Sequence, residues 1–84
     1  MQQLLADSTR RIAGTRQIVR AAAQGRLERV FLAKDADERV REQIVAACEA
    51  ADVPIEEAQS MRALGEACRI AVKTAAAGIL KAQG

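Results

Sequence analysis

Eighty-four residues, 50% of them apolar and 29% charged, exclude a chain disordered by composition. Aromatics are 1%, a single Phe31, so the core of the one small domain expected over residues 1–84 has to come from Ala, Val, Ile and Leu. The formal charge is +2 and there is no His, which removes the commonest general base and the commonest metal ligand and argues against an independent enzyme.

Taken in chain order, residues 1–9 read as a first helix with Leu4 and Leu5 inward, and Arg10 to Ala13 as a short strand or extended lead-in. Gly14-Thr15 is the first clear punctuation. A helix from Thr15 to Gln24 follows, with Ile18, Val19 and Ala22 as its apolar positions and Gly25 placed to end it in the left-handed conformation. Arg29-Val30-Phe31-Leu32-Ala33 has the composition of a strand buried on both faces. Asp35, with Glu38 three positions on, is a helix-start signal for a helix running to Ala51. Its stripe is Val40, Ile44, Ala47, Cys48 and Ala51. Val53-Pro54-Ile55 predicts a second strand, with Pro54 at its start or on an edge. Ser60 caps a short helix from Met61 to Cys68, and Thr74–Leu80 is read as a last strand. Alternation of this kind predicts an α/β fold, a three-layer α-β-α sandwich around a small mixed four-stranded sheet. The alternative is an all-helical bundle packed through its alanines.

Charge is segregated along the chain. From Thr9 to Arg29 six arginines oppose Glu28, a net +5. From Asp35 to Glu57 eight acids oppose Arg39 and Arg41, a net −6. From Ala58 onward four bases oppose Glu66, a net +3. If the two basic segments meet in space, the molecule is dipolar and its positive side suits phosphates; solvated helix faces explain the same charges equally well. Cys48 and Cys68 lie among alanines and read as small buried hydrophobes in a reduced cytosol, not as a metal site or a disulfide framework. The opening residues lack the pattern of a signal peptide, and no apolar run approaches the roughly 20 residues of a membrane span. A soluble cytoplasmic protein without membrane or cofactor is expected, and its thin core suits a monomer.

Two segments carry candidate chemistry. Gly14-Thr15-Arg16-Gln17-Ile18-Val19-Arg20 places unpaired backbone N–H groups and a positive dipole end beside Arg16, Gln17 and, one turn on, Arg20. Arginine forks onto guanine, and glutamine pairs with a base edge. Equally, a turn glycine and a solvated helix face account for these residues. Ala58 to Gly65 is a second loop entering a helix after a strand, where ligands sit in α/β sheets. There Ser60 and Arg62 could reach phosphates, and Met61 could pack on an exposed base or fill the core. Asp35, Asp37, Glu56 and Glu57 are read as caps and surface, not as catalytic carboxylates. The near absence of aromatics argues against a sheet that stacks single-stranded bases.

Four markers, GTRQIVRAAAQG at 14–25, VFLAKDAD at 30–37, VPIEEAQSM at 53–61 and LGEAC at 64–68, resemble in order and spacing the kink-turn-binding large-subunit ribosomal protein family, above all its small bacterial relatives. The resemblance runs from about Asp7 to Leu80. It implies an α-β-α sandwich that docks on a kink-turn, a sharply bent RNA duplex beside sheared G·A pairs, with the glycine-led helix entering the groove. The family usually carries Asn-Glu and a Lys three positions after the Glu where this chain has Arg16, Gln17 and Arg20. The bacterial relatives carry Lys-Gln and Lys. The resemblance further implies backbone approach at Gly14 and Thr15, a polar contact at Lys34, and a loop of Gln59, Ser60, Met61 and Arg62 over a splayed-out nucleotide. Arg69 stands where many relatives have glycine. The implied function is non-catalytic binding of structured RNA of the kink-turn type, in ribosomal RNA, a riboswitch or another transcript. The alternative is a protein-interaction module that keeps the fold without specific RNA recognition.

Overall fold

The computed structural model describes residues 9–70 and 72–82, and apolar spacing and turn chemistry divide these residues into seven elements. They are β1 (Arg11–Ala13), α1 (Thr15–Ala23), β2 (Leu27–Ala33), α2 (Glu38–Ala51), β3 (Ile55–Ala58), α3 (Met61–Ala67) and β4 (Ala76–Leu80). The helix expected over 1–9 lies outside the described residues except for Thr9, which shares a turn with Arg10.

The strands form one sheet in the order β1-β4-β2-β3. β4 runs antiparallel to both β1 and β2, and β3 runs parallel to β2. β1, β2 and β3 therefore point the same way, and β4 returns between two of them. Side chains alternate across the sheet. Val30, Leu32 and Ala76 pack with Ile18, Ala21 and Ala22 of α1 and with Ile44 and Cys48 of α2. Phe31, Ala33, Ala77 and Ile79 pack on the opposite face with Leu64, Ala67 and Cys68. Helices thus cover both faces, as the sequence predicts for the three-layer α/β sandwich, and β2 is buried on both sides.

Several local readings change. β2 begins at Leu27, two residues before the predicted start, because Leu27 pairs with Leu80 and Arg29 with Ile79, leaving Glu28 as an extra residue. That irregularity resets the alternation, so Leu27 and Val30 face the same helices although three positions apart. Asp37, not Asp35, caps α2, its carboxylate accepting from the Arg39 N–H at 2.9 Å. The cause is Ala36: its N–H donates to the Ala33 carbonyl, the turn buries its methyl group, and the helix starts only beyond it. Val19 is 37% exposed, since Ile18, Ala21 and Ala22 fill the inward stripe. The second strand runs from Ile55 to Ala58, not over Val53–Ile55. Pro54 has no N–H to give, and pairing opens with its carbonyl, which accepts from Val30 at 3.0 Å. β3 is an edge strand, where Glu56 and Glu57 stay exposed.

Both cysteines are free and buried. Burial pushes the Cys48 thiol up, and it pushes the Cys68 thiol up against a smaller opposing pull from the Arg11 guanidinium. Neutral, enclosed thiols react only when the fold opens. An aromatic disulfide reagent at pH 8 should therefore label the native protein slower than the denatured chain by a factor on the order of 10³. Immediate labelling of either thiol in the native state would contradict the packing.

Candidate nucleic-acid interface

Because β1, β2 and β3 run in one direction, their carboxyl ends gather at one edge of the sheet, where α/β folds place ligands. Gly14 to Gln17, Lys34 and Gln59 to Arg62 lie along that edge, whereas Arg20 lies further along α1, in its last turn. Gly14 follows β1, Lys34 follows β2, and Gln59, Ser60, Met61 and Arg62 follow β3 into α3. With strands about 4.8 Å apart, the edge is about 14 Å across from β1 to β3.

Gly14 adopts φ 103° and ψ 139°, open to glycine and strained for other residues, and a Cβ there would meet nothing within 4 Å. The position therefore faces open space. Gly14 brings no side chain to cap α1, and the first turn holds no acid. The leading N–H groups and the positive dipole end of α1 are left for an external acceptor. Arg16, Gln17 and Arg20 are all exposed. Ion pairs hold Arg10 to Glu28, Arg41 to Glu57 and Arg62 to Glu66, whereas Arg16 and Arg20 have none among the described residues. Arg16 and Arg20 also flank a groove of about 640 Å³ between α1 and α2, walled by Val19, Ala46 and Ala47.

The second loop is more committed to its own fold. Ser60 Oγ accepts from the Ala63 N–H at 3.0 Å and caps α3, as the sequence predicts. Met61 is half-buried against Phe31 and Leu64, the core-filling alternative. Arg62 reaches Glu66 at 3.4 Å with both side chains largely in solvent, an interaction worth little. Lys34 and Gln59 are exposed. The loops are tied together: Lys34 N–H donates to the Ala58 carbonyl at 2.9 Å, and the Asp35 carboxylate accepts from the Met61 N–H at 2.7 Å. Asp35 and Glu57 thus have structural partners, and Glu57 meets Arg41 at 2.7 Å. Among the described residues no group of three or more His, Cys, Asp or Glu could hold a metal, and no helix is long and apolar enough to cross a membrane.

The sequence reading missed the segment between α3 and β4. Thr74 N–H donates to the Met61 carbonyl at 3.2 Å, and Ala33 N–H to the Ala75 carbonyl at 2.8 Å, which fixes this loop at the same edge. It presents Val72, 67% exposed, beside Lys73. In sequence Val72 and Lys73 precede the predicted strand Thr74–Leu80 and carry no motif that marks them.

A chain with this fold and this edge can be compared with known proteins. The model of the ribosomal protein L7Ae/L30e/S12e/Gadd45 family matches residues 2–84. The chain belongs to that family. An RNA-binding protein of Geobacillus thermodenitrificans is 43% identical over 70 residues, 83% of this chain and 85% of the relative. RNA-binding protein YbxF of Geobacillus stearothermophilus is 41% identical over the same shares. The solved structure of the Giardia lamblia 15.5kD RNA binding protein superposes with a TM-score of 0.86 at 30% identity, covering 98% of this chain and 69% of the other.

Two positions hold the α3–β4 loop of this family member in opposite ways. A Cβ on Gly65 would collide with the Val72 carbonyl, so α3 and the loop approach as closely as they do only with glycine there. Arg69 sits at φ 59°, a left-handed conformation that costs a non-glycine residue about 1–2 kcal/mol. Gly65→Ala should destabilise the protein by about 1–3 kcal/mol in a denaturant melt. Arg69→Gly should stabilise it by about 0.5–1 kcal/mol, the relieved strain being partly offset by the freer unfolded chain. Equal signs for the two variants would overturn this account of the loop.

Proposed function

We propose that this protein is a non-catalytic RNA-binding protein of the cytoplasm, a monomer that recognises kink-turn-type structured RNA, in ribosomal RNA, a riboswitch or another transcript. The observation that carries the proposal is the state of α1. Its uncapped N-terminus opens on Gly14, and beside it Arg16, Gln17 and Arg20 stand in solvent without acid partners among the described residues. The relatives named as RNA-binding proteins support the same reading.

The docking follows from groove shape. The major groove of a regular A-form duplex is too deep and narrow for side chains to read. A sharp kink opens it and unstacks bases. The end of α1 then enters with its N–H groups toward phosphate, as helix N-termini bind anions. Arg16 and Arg20, at i and i+4, share one side of the helix and reach phosphates or guanine edges, and Gln17 reads a base edge. Gly14 and Thr15 let the RNA backbone come close. Lys34 contributes charge from the end of β2, and Gln59, Ser60, Met61 and Arg62 border the RNA at the end of β3. Ser60 acts there mainly by holding α3 in place, since its hydroxyl caps the helix.

The groove walled by Val19, Ala46 and Ala47 favours a second reading, an interaction module that has kept the fold without specific RNA recognition. A binding titration separates the two. At physiological salt the protein should prefer a kink-turn RNA to an unbent duplex of equal length, because plain phosphate attraction ignores shape. Arg16→Ala with Arg20→Ala should weaken kink-turn binding by about 1–3 kcal/mol per arginine while leaving the melting temperature unchanged. Equal binding of bent and unbent RNA would favour the interaction module, and an unchanged affinity in the double variant would remove α1 from the interface.

A further inference from the structure

The far edge of the sheet carries a second basic cluster that the docking of α1 at Gly14 does not use. There β1 and β2 begin and β4 ends. The Leu80 N–H donates to the Arg10 carbonyl at 2.7 Å, and the Lys81 N–H to the Arg26 carbonyl at 2.8 Å. These bonds set Arg10, Arg26 and Lys81 around a hollow of about 610 Å³, floored by Gly25 and Leu80. Arg10 is partly engaged, through Nε to the Leu80 carbonyl at 3.1 Å and a 3.4 Å pair with Glu28. Arg26 has only a long contact with Gln24 at 3.5 Å, and Lys81 has no side-chain partner among the described residues. Both are exposed.

A path of exposed polar groups joins this cluster to the first edge. Gln17, Arg20 and Gln24 follow one another along one side of α1, and with Arg26 they line a shallow groove. The C-terminus of a helix by itself favours one nearby cation, a need that Arg20 in the last turn already meets. Arg10 and Lys81 come from two other segments of the chain, and among the described residues Glu28 is the one acid paired in this cluster. From Gly14 to Gly25 the track is about 16 Å long, enough to follow several successive phosphates of one strand.

We infer that Arg26 and Lys81, with Arg10, form a distal phosphate site, and that the RNA bound at the Gly14 edge continues along α1 so that the backbone of its flanking stem reaches this site. The inference rests on the proposed RNA docking. It assigns the protein a footprint that spans the sheet from edge to edge, with shape recognition at one end and sequence-independent charge at the other.

The test compares two kink-turn RNAs that differ only in the length of the stem lying beside α1, one ending short of the distal cluster and one passing it. The variant Arg26→Ala with Lys81→Ala removes two exposed side chains and leaves the backbone bonds of both residues in place. Arg10 is kept, because its guanidinium also bonds the fold. The double variant should bind the long-stem RNA about tenfold more weakly than the parent at physiological salt. It should also lose up to about 2 from the slope of log affinity against log salt, near 0.9 per lost phosphate contact. Its affinity for the short-stem RNA and its melting temperature should match the parent. An unchanged affinity for the long-stem RNA overturns the distal site, as does an equal loss on both RNAs, which would mark a diffuse field effect. If the parent binds neither RNA, the proposed function itself fails, and that outcome is distinct from the other two.

Discussion

The position of α1 against the sheet depends on one missing side chain, that of Gly78. This residue lies in β4 opposite Ile12 of β1 and Val30 of β2, on the face that α1 covers. A Cβ there would come within 2.8 Å of Leu27 Cδ2, 3.3 Å of Ile12 Cγ1 and 3.6 Å of Ile18 Cγ1. Glycine lets Ile18 seat fully while Ala21 and Ala22, both small, lie close to the strands. α1 follows β1 after a single residue, Gly14. Its start is thus pinned by the strand and its tilt by contact with β4. With the inward stripe consumed by Ile18, Ala21 and Ala22, helical geometry leaves Arg16, Gln17 and Arg20 on the outside. Their exposure is a consequence of the core.

The acids of the middle segment show the complementary arrangement. Asp37 caps α2, Asp35 holds the Met61 N–H, and Glu57 holds Arg41, whose guanidinium also donates to the Ala33 carbonyl at 2.6 Å. Each of these carboxylates stays within the half of the molecule built from α2 and β3. The basic segments meet where β1 pairs with β4. The fold therefore turns a segregation along the chain into a separation across the molecule. A polyanion approaching within a Debye length, about 8 Å at physiological salt, is drawn to the β1–α1–β4 side.

The elements most legible in sequence were those whose residues act through local chemistry. Gly25 takes φ 69° and closes α1, Ser60 caps α3, and Val30 to Ala33 form a strand buried on both faces, because glycine, serine and an apolar run with a β-branched start and an aromatic carry their preference with them. What was not legible was set by tertiary contacts. Local rules favour Asp35, with Glu38 three positions on, and the burial of Ala36 moves the cap to Asp37. Leu27 joins β2 through an extra residue at Glu28, which periodicity cannot place. Glu56 and Glu57 look like loop residues and lie in a strand, because an edge tolerates them. Of the candidate site, the helix end at Gly14 was readable because glycine and two arginines at i and i+4 form a local pattern. Val72 was not, since its exposure comes from how Gly65 brings the loop onto α3.

The choice of arginine at 16 and 20 bears on how the proposed docking divides between charge and geometry. Relatives with lysine at these places would present compact, strongly hydrated point charges on flexible stems, suited to a phosphate met from many directions. A guanidinium is planar, sheds water more readily and donates through a fixed fork, so it gains most where the acceptor pair is held still. α1 supplies a rigid platform for that, since its base is packed on Gly78 and its start is fixed at Gly14. A rigid fork on a rigid helix favours an RNA whose own shape is already set, and penalises a duplex that must be bent to meet it. In the proposed docking, the same side chains that raise attraction to any phosphate would also raise the premium on a preformed kink, and selectivity would reside in the stiffness beneath the arginines as much as in their charge.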